Sequence, residues 1–187
     1  MKHDYEQIFK RDPESGKIVI EISLNDYLEF FHEWDNAVFK KRDMHPELAE
    51  FLEECSRDIP PKEALDVRFY LADEPRDPQK EEVIRSSYRN YFDAALSFEE
   101  GEVKRTVYGS GAMLLIALTL LSVYTLLASR SAGTVIASAL LESLLIGGWV
   151  LTWEAFHRVA IDMIQPLRRK KMNKRLQGAA ISFRYSV

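Results

Sequence analysis

The chain has 187 residues, with 29 acidic and 25 basic side chains, a formal net charge of −4 and an apolar content of 47%. That length leaves room for one soluble domain of about 100 residues beside any membrane segment, and the single cysteine, Cys55, excludes an internal disulfide framework and agrees with a reducing compartment. The near balance of charge hides a polarity: residues 1–105 hold 26 acidic and 16 basic side chains, whereas residues 155–187 hold one acidic and eight basic.

Met1 to Gly16 is polar, without the apolar stretch of a signal peptide, and its Asp12-Pro13 and Ser15-Gly16 turn signals predict a flexible or loosely docked leader. From Lys17 onward Ile18, Ile20 and Ile22 alternate with Val19, Glu21 and Ser23, the period-2 pattern of a strand with one buried face. Ser23 or Asn25 is placed to cap a short helix with Leu24, Tyr27, Leu28, Phe31 and Trp34 on its apolar face, a pattern that Phe30 interrupts. Pro46 suits the first position of a second helix, whose stripe would be Leu48, Phe51, Leu52 and Cys55 and which Pro60 and Pro61 stop. Cys55 reads as a packed core thiol, since nothing nearby would clearly depress its pKa.

Leu65, Val67, Phe69 and Leu71 alternate with Asp66, Arg68 and Tyr70 and predict a second strand. Asp77-Pro78 is a strong helix start, a capping carboxylate before the preferred N1 proline. Ile84, Tyr88, Tyr91 or Phe92, Ala95 and Phe98 would then share one face. Gly101, Gly109 and Gly111 leave two courses open: a hinge ahead of the membrane, or a helix that runs through.

Thr106 to Ser129 carries no charge, and Thr134 to Trp153 carries only Glu142. Each stretch matches the ~20 residues that a helix needs to cross a hydrocarbon core of ~30 Å. So short a connection makes the two spans antiparallel neighbours, because backbone in lipid must be satisfied within a helix. Lys104 and Arg105 precede the first span, Arg158 and the run from Arg168 to Arg175 follow the second, and Arg130 alone lies between, which by the positive-inside rule places both termini in the cytoplasm. Trp149 and Trp153 suit an interfacial aromatic belt at the cytoplasmic exit. Ala155 to Gln165 continues as helix until Pro166 bends or ends it.

Finally, Ile181, Phe183 and Tyr185 alternate with Ser182, Arg184 and Ser186, a third strand expected to add to the sheet of the first two. The fold class expected is thus α+β: a leader (1–16), a cytoplasmic β-α-α-β-α domain (17–105), a two-helix transmembrane hairpin (106–153), and a basic tail (154–187) whose strand returns to the sheet. The spans are then an insertion between the last helix and the last strand.

Gly148-Trp149, Trp153-Glu154, Asp162, Pro166 and Arg168-Arg169, with Arg89-Asn90-Tyr91-Phe92 and Phe39 to Asp43 upstream, give the chain after Lys17 a further character. It resembles a widespread set of small bacterial two-span membrane proteins with no assigned activity. The resemblance implies bacterial origin and supplies no catalytic residue.

Glu142 is the residue that most requires explanation, since it lies roughly 12 Å into the span at ~1.5 Å per residue, where a charge costs on the order of 2.5–3.5 kcal/mol. Either it is an ion or proton site, or one of a ring of carboxylates lining an oligomeric pore, or it is a protonated Glu bonded to Ser122, Thr119 or a neighbouring subunit as polar glue. Ala139, Ser143 and Gly147 repeat every four residues, a seam of small side chains for the hairpin itself or for a second copy, with the hairpin favoured because it forms in any oligomeric state. Hydroxyls such as Thr119, Ser122 and Thr125 more often bond back to their own helix.

Arg168, Arg169, Lys170, Lys171, Lys174 and Arg175 read as a topology determinant that touches anionic lipid headgroups. His32, Glu33, Asp35, Asp43 and His45 lack metal-ligand spacing, and no phosphate loop or nucleophile elbow occurs. The expectation is a non-enzymatic, homo-oligomeric membrane protein with a cytoplasmic interaction or sensing domain, contacting lipids and an unidentified protein partner, with no cofactor, metal or nucleic acid. The alternative is a small oligomeric ion channel or ion-coupled transporter that uses Glu142; an enzyme built on the His32–His45 region trails both.

Overall fold

A computed structural model describes residues 5–31, 43–72, 74–130 and 134–185. The protein is α+β, with a three-stranded parallel sheet and two long apolar helices. The chain divides into two compact units, Met1–Phe98 with Arg169–Val187, and Glu99–Arg168.

In the first unit, β1 (Ile18–Leu24), β2 (Leu65–Leu71) and β3 (Ala180–Tyr185) lie in the order β1-β2-β3. Their registers set Ile20, Val67 and Ile181 in one row and Ile22, Phe69 and Phe183 in the next. All three strands therefore turn every second residue to one common face, as period-2 alternation requires. On that face lie α2 (Pro46–Asp58), the first part of α3 (Pro78–Ala128) and the end of α5 (Ile164–Gln177), which contribute Leu52, Cys55, Ile84, Tyr88, Phe92 and Leu176 to the core. Each fully buried aliphatic or aromatic side chain stabilises the unit by about 1.5–3 kcal/mol. The strand expected at the C-terminus is present and pairs with β2, so the chain between residues 72 and 179 is one long crossover between adjacent parallel strands.

The opposite face of the sheet is polar. Arg68 donates to Asp66 (2.8 Å) and Asp12 (3.3 Å), Ser182 donates to Asp66, and Tyr70 donates to Glu21 (3.1 Å). Residues 5–16 of the leader pack on this unit. The leader forms the single-turn α1 (Tyr5–Ile8) with Tyr5 buried, and Arg11 bridges to Ile18. Its turn from Asp12 to Gly16 closes where Gly16 takes φ 68°, a conformation that suits glycine.

Three apolar faces differ from expectation. The helix expected after β1 is a single 3₁₀ turn, Tyr27–Phe30, capped by Asp26 rather than by Ser23 or Asn25. In a 3₁₀ turn residues three apart eclipse, so Tyr27 and Phe30 are buried together while Leu28 is 53% exposed. Phe30, which interrupts an α-helical stripe, is the correct residue for this one; Trp34 lies outside the described residues. In α2 the buried line is Ala49, Leu52, Cys55 and Ser56, and Phe51 faces out. In α3 the buried line stops at Phe92, and Phe98, expected on it, is 67% exposed because the sheet it would cover has ended.

In the second unit α3 runs unbroken through Gly101, Gly109 and Gly111 to Ala128, and α4 spans Val135–His157. Buried residues of each helix recur after seven positions, Ser110 and Ala117 on α3 and Gly148 and Ala155 on α4, with half-buried residues such as Thr106, Met113, Leu120, Leu144 and Leu151 three or four positions from them. That is the heptad seam of two helices packed lengthwise. Small side chains stand at its tightest points, where a Cβ at Gly148 would fall 2.7 Å from Cγ and Cδ2 of Leu121. Beyond α4 the helix widens into a π turn, Arg158–Asp162, before α5 begins. Pro166 neither ends nor interrupts α5; it sits in the first turn, where a missing N–H is tolerated, and the irregularity lies just ahead of it.

Candidate functional site

Within the hairpin unit the polar groups are sorted by direction. Thr119, Ser122 and Thr125 donate to the carbonyls of Leu115, Leu118 and Leu121 at 2.7–2.8 Å, satisfying their hydroxyls inside their own helix. Glu142 is exposed and makes no hydrogen bond or ion pair among the described residues, so the bond to Ser122 or Thr119 is not formed. Ala139 and Ser143 are exposed as well, and Ser143 donates back to Ala139. The small-residue stripe therefore does not form the hairpin's own seam along its length. Gly147 only touches that seam, its Cβ position lying 3.8 Å from Leu120 Cδ1, while its neighbour Gly148 carries the close approach. The buried small residues within the hairpin follow another spacing, Ser110 to Ala117 and Gly148 to Ala155, which repeats every seven.

Trp149 and Trp153 face outward, and Trp153 lies 6.1 Å from Phe156 between ring centroids. The basic helix α5 is not uniform. Arg168, Arg169, Lys171 and Lys174 are exposed and Lys170 is half-buried. Arg175 instead turns into the first unit, donating to the carbonyls of Ser56, Ile59 and Glu63 at 2.9–3.0 Å. These are orphan carbonyls at and beyond the end of α2, so Arg175 is a helix C-terminal clamp. Tyr88, fully buried, donates to the Leu176 carbonyl at 2.9 Å and fixes the same segment from α3.

The most concentrated polar cluster lies at the carboxyl ends of the strands, the edge at which open parallel sheets commonly bind ligands. Glu81, in the first turn of α3 and only 5% exposed, accepts from Tyr185 (2.7 Å) and Arg85 (3.0 Å) and pairs with Arg76 (3.3 Å). Tyr27 and Tyr185 share a hydroxyl contact of 2.8 Å, and the Asp77 amide donates to Tyr27. The Arg85 guanidinium sits 4.9 Å over the Phe183 ring. Around this network a cleft of about 360 Å³ is lined by Arg76, Glu81, Arg85, Phe183 and Tyr185.

Burial alone would raise the Glu81 pKa, but the Tyr185 hydroxyl, Arg85 and Arg76 outweigh it and hold the carboxyl below its usual range. Tyr185 is pushed well above the ordinary phenol value by burial and by its bonds to Tyr27 and Glu81. Chemically this is a saturated clamp joining β3 to α3, with two guanidinium groups sharing one carboxylate. Nothing in the sequence pattern marked it, because Tyr27, Glu81 and Tyr185 are brought together only by the parallel crossover.

The region considered for acid–base or metal chemistry resolves in part. His45 caps α2, its Nδ1 accepting from the Glu47 amide at 3.3 Å. His32, Glu33 and Asp35 lie outside the described residues. Among the described residues no group of three or more His, Cys, Asp or Glu side chains is placed to hold a metal ion. Burial, with the charges of Asp58 and Glu54, pushes the Cys55 thiol up to about 11, as fits a packed core residue. Comparison with protein-family models, curated proteins and solved structures finds no match.

Proposed function

We propose that the chain is a multi-pass integral membrane protein whose α+β unit is a cytoplasmic interaction or sensing module, non-enzymatic, and assembled as a homo-oligomer through the hairpin. One observation carries this reading: the apolar side chains of both long helices face outward, with only 6% of each apolar window buried, and Glu142 faces outward among them. A soluble protein seldom exposes so large a continuous apolar surface. A carboxyl in hydrocarbon calls for a partner, and the hydroxyls of Thr119 and Ser122 are bonded to their own helix. A second copy supplies that partner, with Ala139 and Ser143 beside Glu142 allowing close approach.

The distribution of cations supports cytoplasmic termini, and the resemblance to small bacterial two-span proteins supports the inner membrane. Membrane lipids, and a protein partner bound by the acidic unit, complete the reading; nucleic acid has no place in it. The test is labelling in a Cys55→Ser background. A thiol at Ser129→Cys should react with a membrane-impermeant maleimide in intact spheroplasts, and one at Ser15→Cys only after permeabilisation. The reverse pattern, or release of the protein by alkaline carbonate, would refute it.

The second reading, a small oligomeric channel or ion-coupled transporter, rests on the same outward carboxyl. The two separate at Glu142→Gln, which keeps a glue residue's hydrogen bonding but removes its charge. Interface glue should survive that change, whereas a conduction site should lose flux in proteoliposomes with its oligomer intact.

A further inference from the structure

At the charged end of the hairpin unit a cleft of about 260 Å³ is lined by Glu102, Arg105, Thr106, Glu154, Arg158 and Asp162. Two of its charges are matched, Arg158 donating to Glu154 at 2.9 Å. The others are not: Arg105 and Glu102 form no hydrogen bond or ion pair among the described residues, and Asp162 has only His157 Nδ1, 4.0 Å away. The π turn supplies one wall, since Arg158 opens it and Asp162 closes it, and such turns recur at functional sites.

Depth identifies the ligand class. Arg105 immediately precedes the apolar run that begins at Thr106, and Arg158 follows Trp153 by five residues, or roughly 7–8 Å of helix. Both therefore stand at the level of lipid headgroups, just outside the hydrocarbon. An unpaired guanidinium fits a phosphodiester in a forked pair of hydrogen bonds. Carboxylates beside it, at Glu102 and Asp162, fit a cation that has N–H donors to give.

We propose that this cleft binds the headgroup of a zwitterionic phospholipid bearing a primary ammonium, with its phosphate on Arg105 and its ammonium between Glu102 and Asp162. The basic run in α5 differs in kind, since that helix carries no acidic residue of its own. It rests on the membrane reading above.

The test reconstitutes the full chain in vesicles of equimolar phosphatidylethanolamine, phosphatidylcholine and phosphatidylglycerol with identical acyl chains, confirms flotation, and counts retained lipid by native mass spectrometry. The wild type should retain phosphatidylethanolamine over phosphatidylcholine by about tenfold, the worth of one charge-assisted hydrogen bond that a quaternary ammonium cannot make. Arg105→Gln, and Glu102→Gln with Asp162→Asn, should each bring that ratio near parity while flotation and melting stay unchanged. Equal retention of the two lipids by the wild type would overturn the proposal. So would a preference for phosphatidylglycerol that follows Lys170 and Lys171 instead of Arg105, or displacement by soluble glycerophosphoethanolamine at the same concentration as the lipid. A chain that fails to float would instead overturn the membrane reading.

Discussion

Glu81 and Arg175 show how single side chains fasten the last strand to the fold. Glu81 is buried against Tyr185, Arg85 and Arg76, so Glu81→Gln should cost about 1–3 kcal/mol in urea unfolding. Because its folded pKa is depressed, its contribution is present above the ordinary carboxylate range and is lost as pH falls through the folded value. The Gln variant should therefore show a shallower loss of stability on acidification than the wild type. Tyr185 acts in the opposite direction: its folded pKa is raised, so its contribution is present below about pH 10 and fades as pH rises further. Tyr185→Phe should flatten the alkaline limb and leave the acid limb sloping. Arg175→Ala, which strands three carbonyls, should destabilise the sheet unit by on the order of 3 kcal/mol, whereas Lys171→Ala should stay within about 0.5 kcal/mol. Equal effects of the two would mean that Arg175 is only a surface cation. Neither role was legible in the sequence, because Arg175 is indistinguishable in composition from the five cations just before it.

Among the elements, those set by strong local chemistry were legible: the period-2 strands, the Pro46 and Asp77-Pro78 helix starts, and the two long apolar stretches. Leu24 to Trp34 reads with a period of 3.6, whereas Tyr27 to Phe30 folds with a period of three, and four residues are too few to distinguish the two. In the second apolar helix Ala139, Ser143 and Gly147 form an i, i+4 stripe, while packing against the first helix follows a seven-residue repeat through Gly148. That distinction is testable. Gly147→Ala meets only an ordinary contact with Leu120 and gains helix propensity of about 1 kcal/mol. Gly148→Leu drives into Leu121 and the Ala117 carbonyl and should splay the helices, lengthening the spin–spin distance between labels at Tyr108 and Trp153. An unchanged distance would contradict the seam. Removal of residues 180–187 should expose Val67 and Phe69 and lower the melting temperature of the sheet unit; unaltered melting would mean that β3 contributes nothing.

For the whole molecule, a parallel sheet whose second crossover contains two long apolar helices ties the folding of the sheet unit to completion of the hairpin. Its third strand follows both long helices in the chain, so the sheet is completed only when the segment beyond the second helix has come back. Glu142 stands out, exposed among apolar neighbours and making no hydrogen bond or ion pair among the described residues. Sequence could place that carboxyl in the span but could not say which way it faced, since facing depends on the seam that the neighbouring helix selects. The most direct measurement is the subunit count of the intact protein in native lipid by native mass spectrometry, for the wild type, Glu142→Gln and Glu142→Leu. Self-association through the hairpin predicts an oligomer that persists in Glu142→Gln and falls to monomers in Glu142→Leu. A monomeric wild type, or an oligomer indifferent to Glu142→Leu, would contradict it.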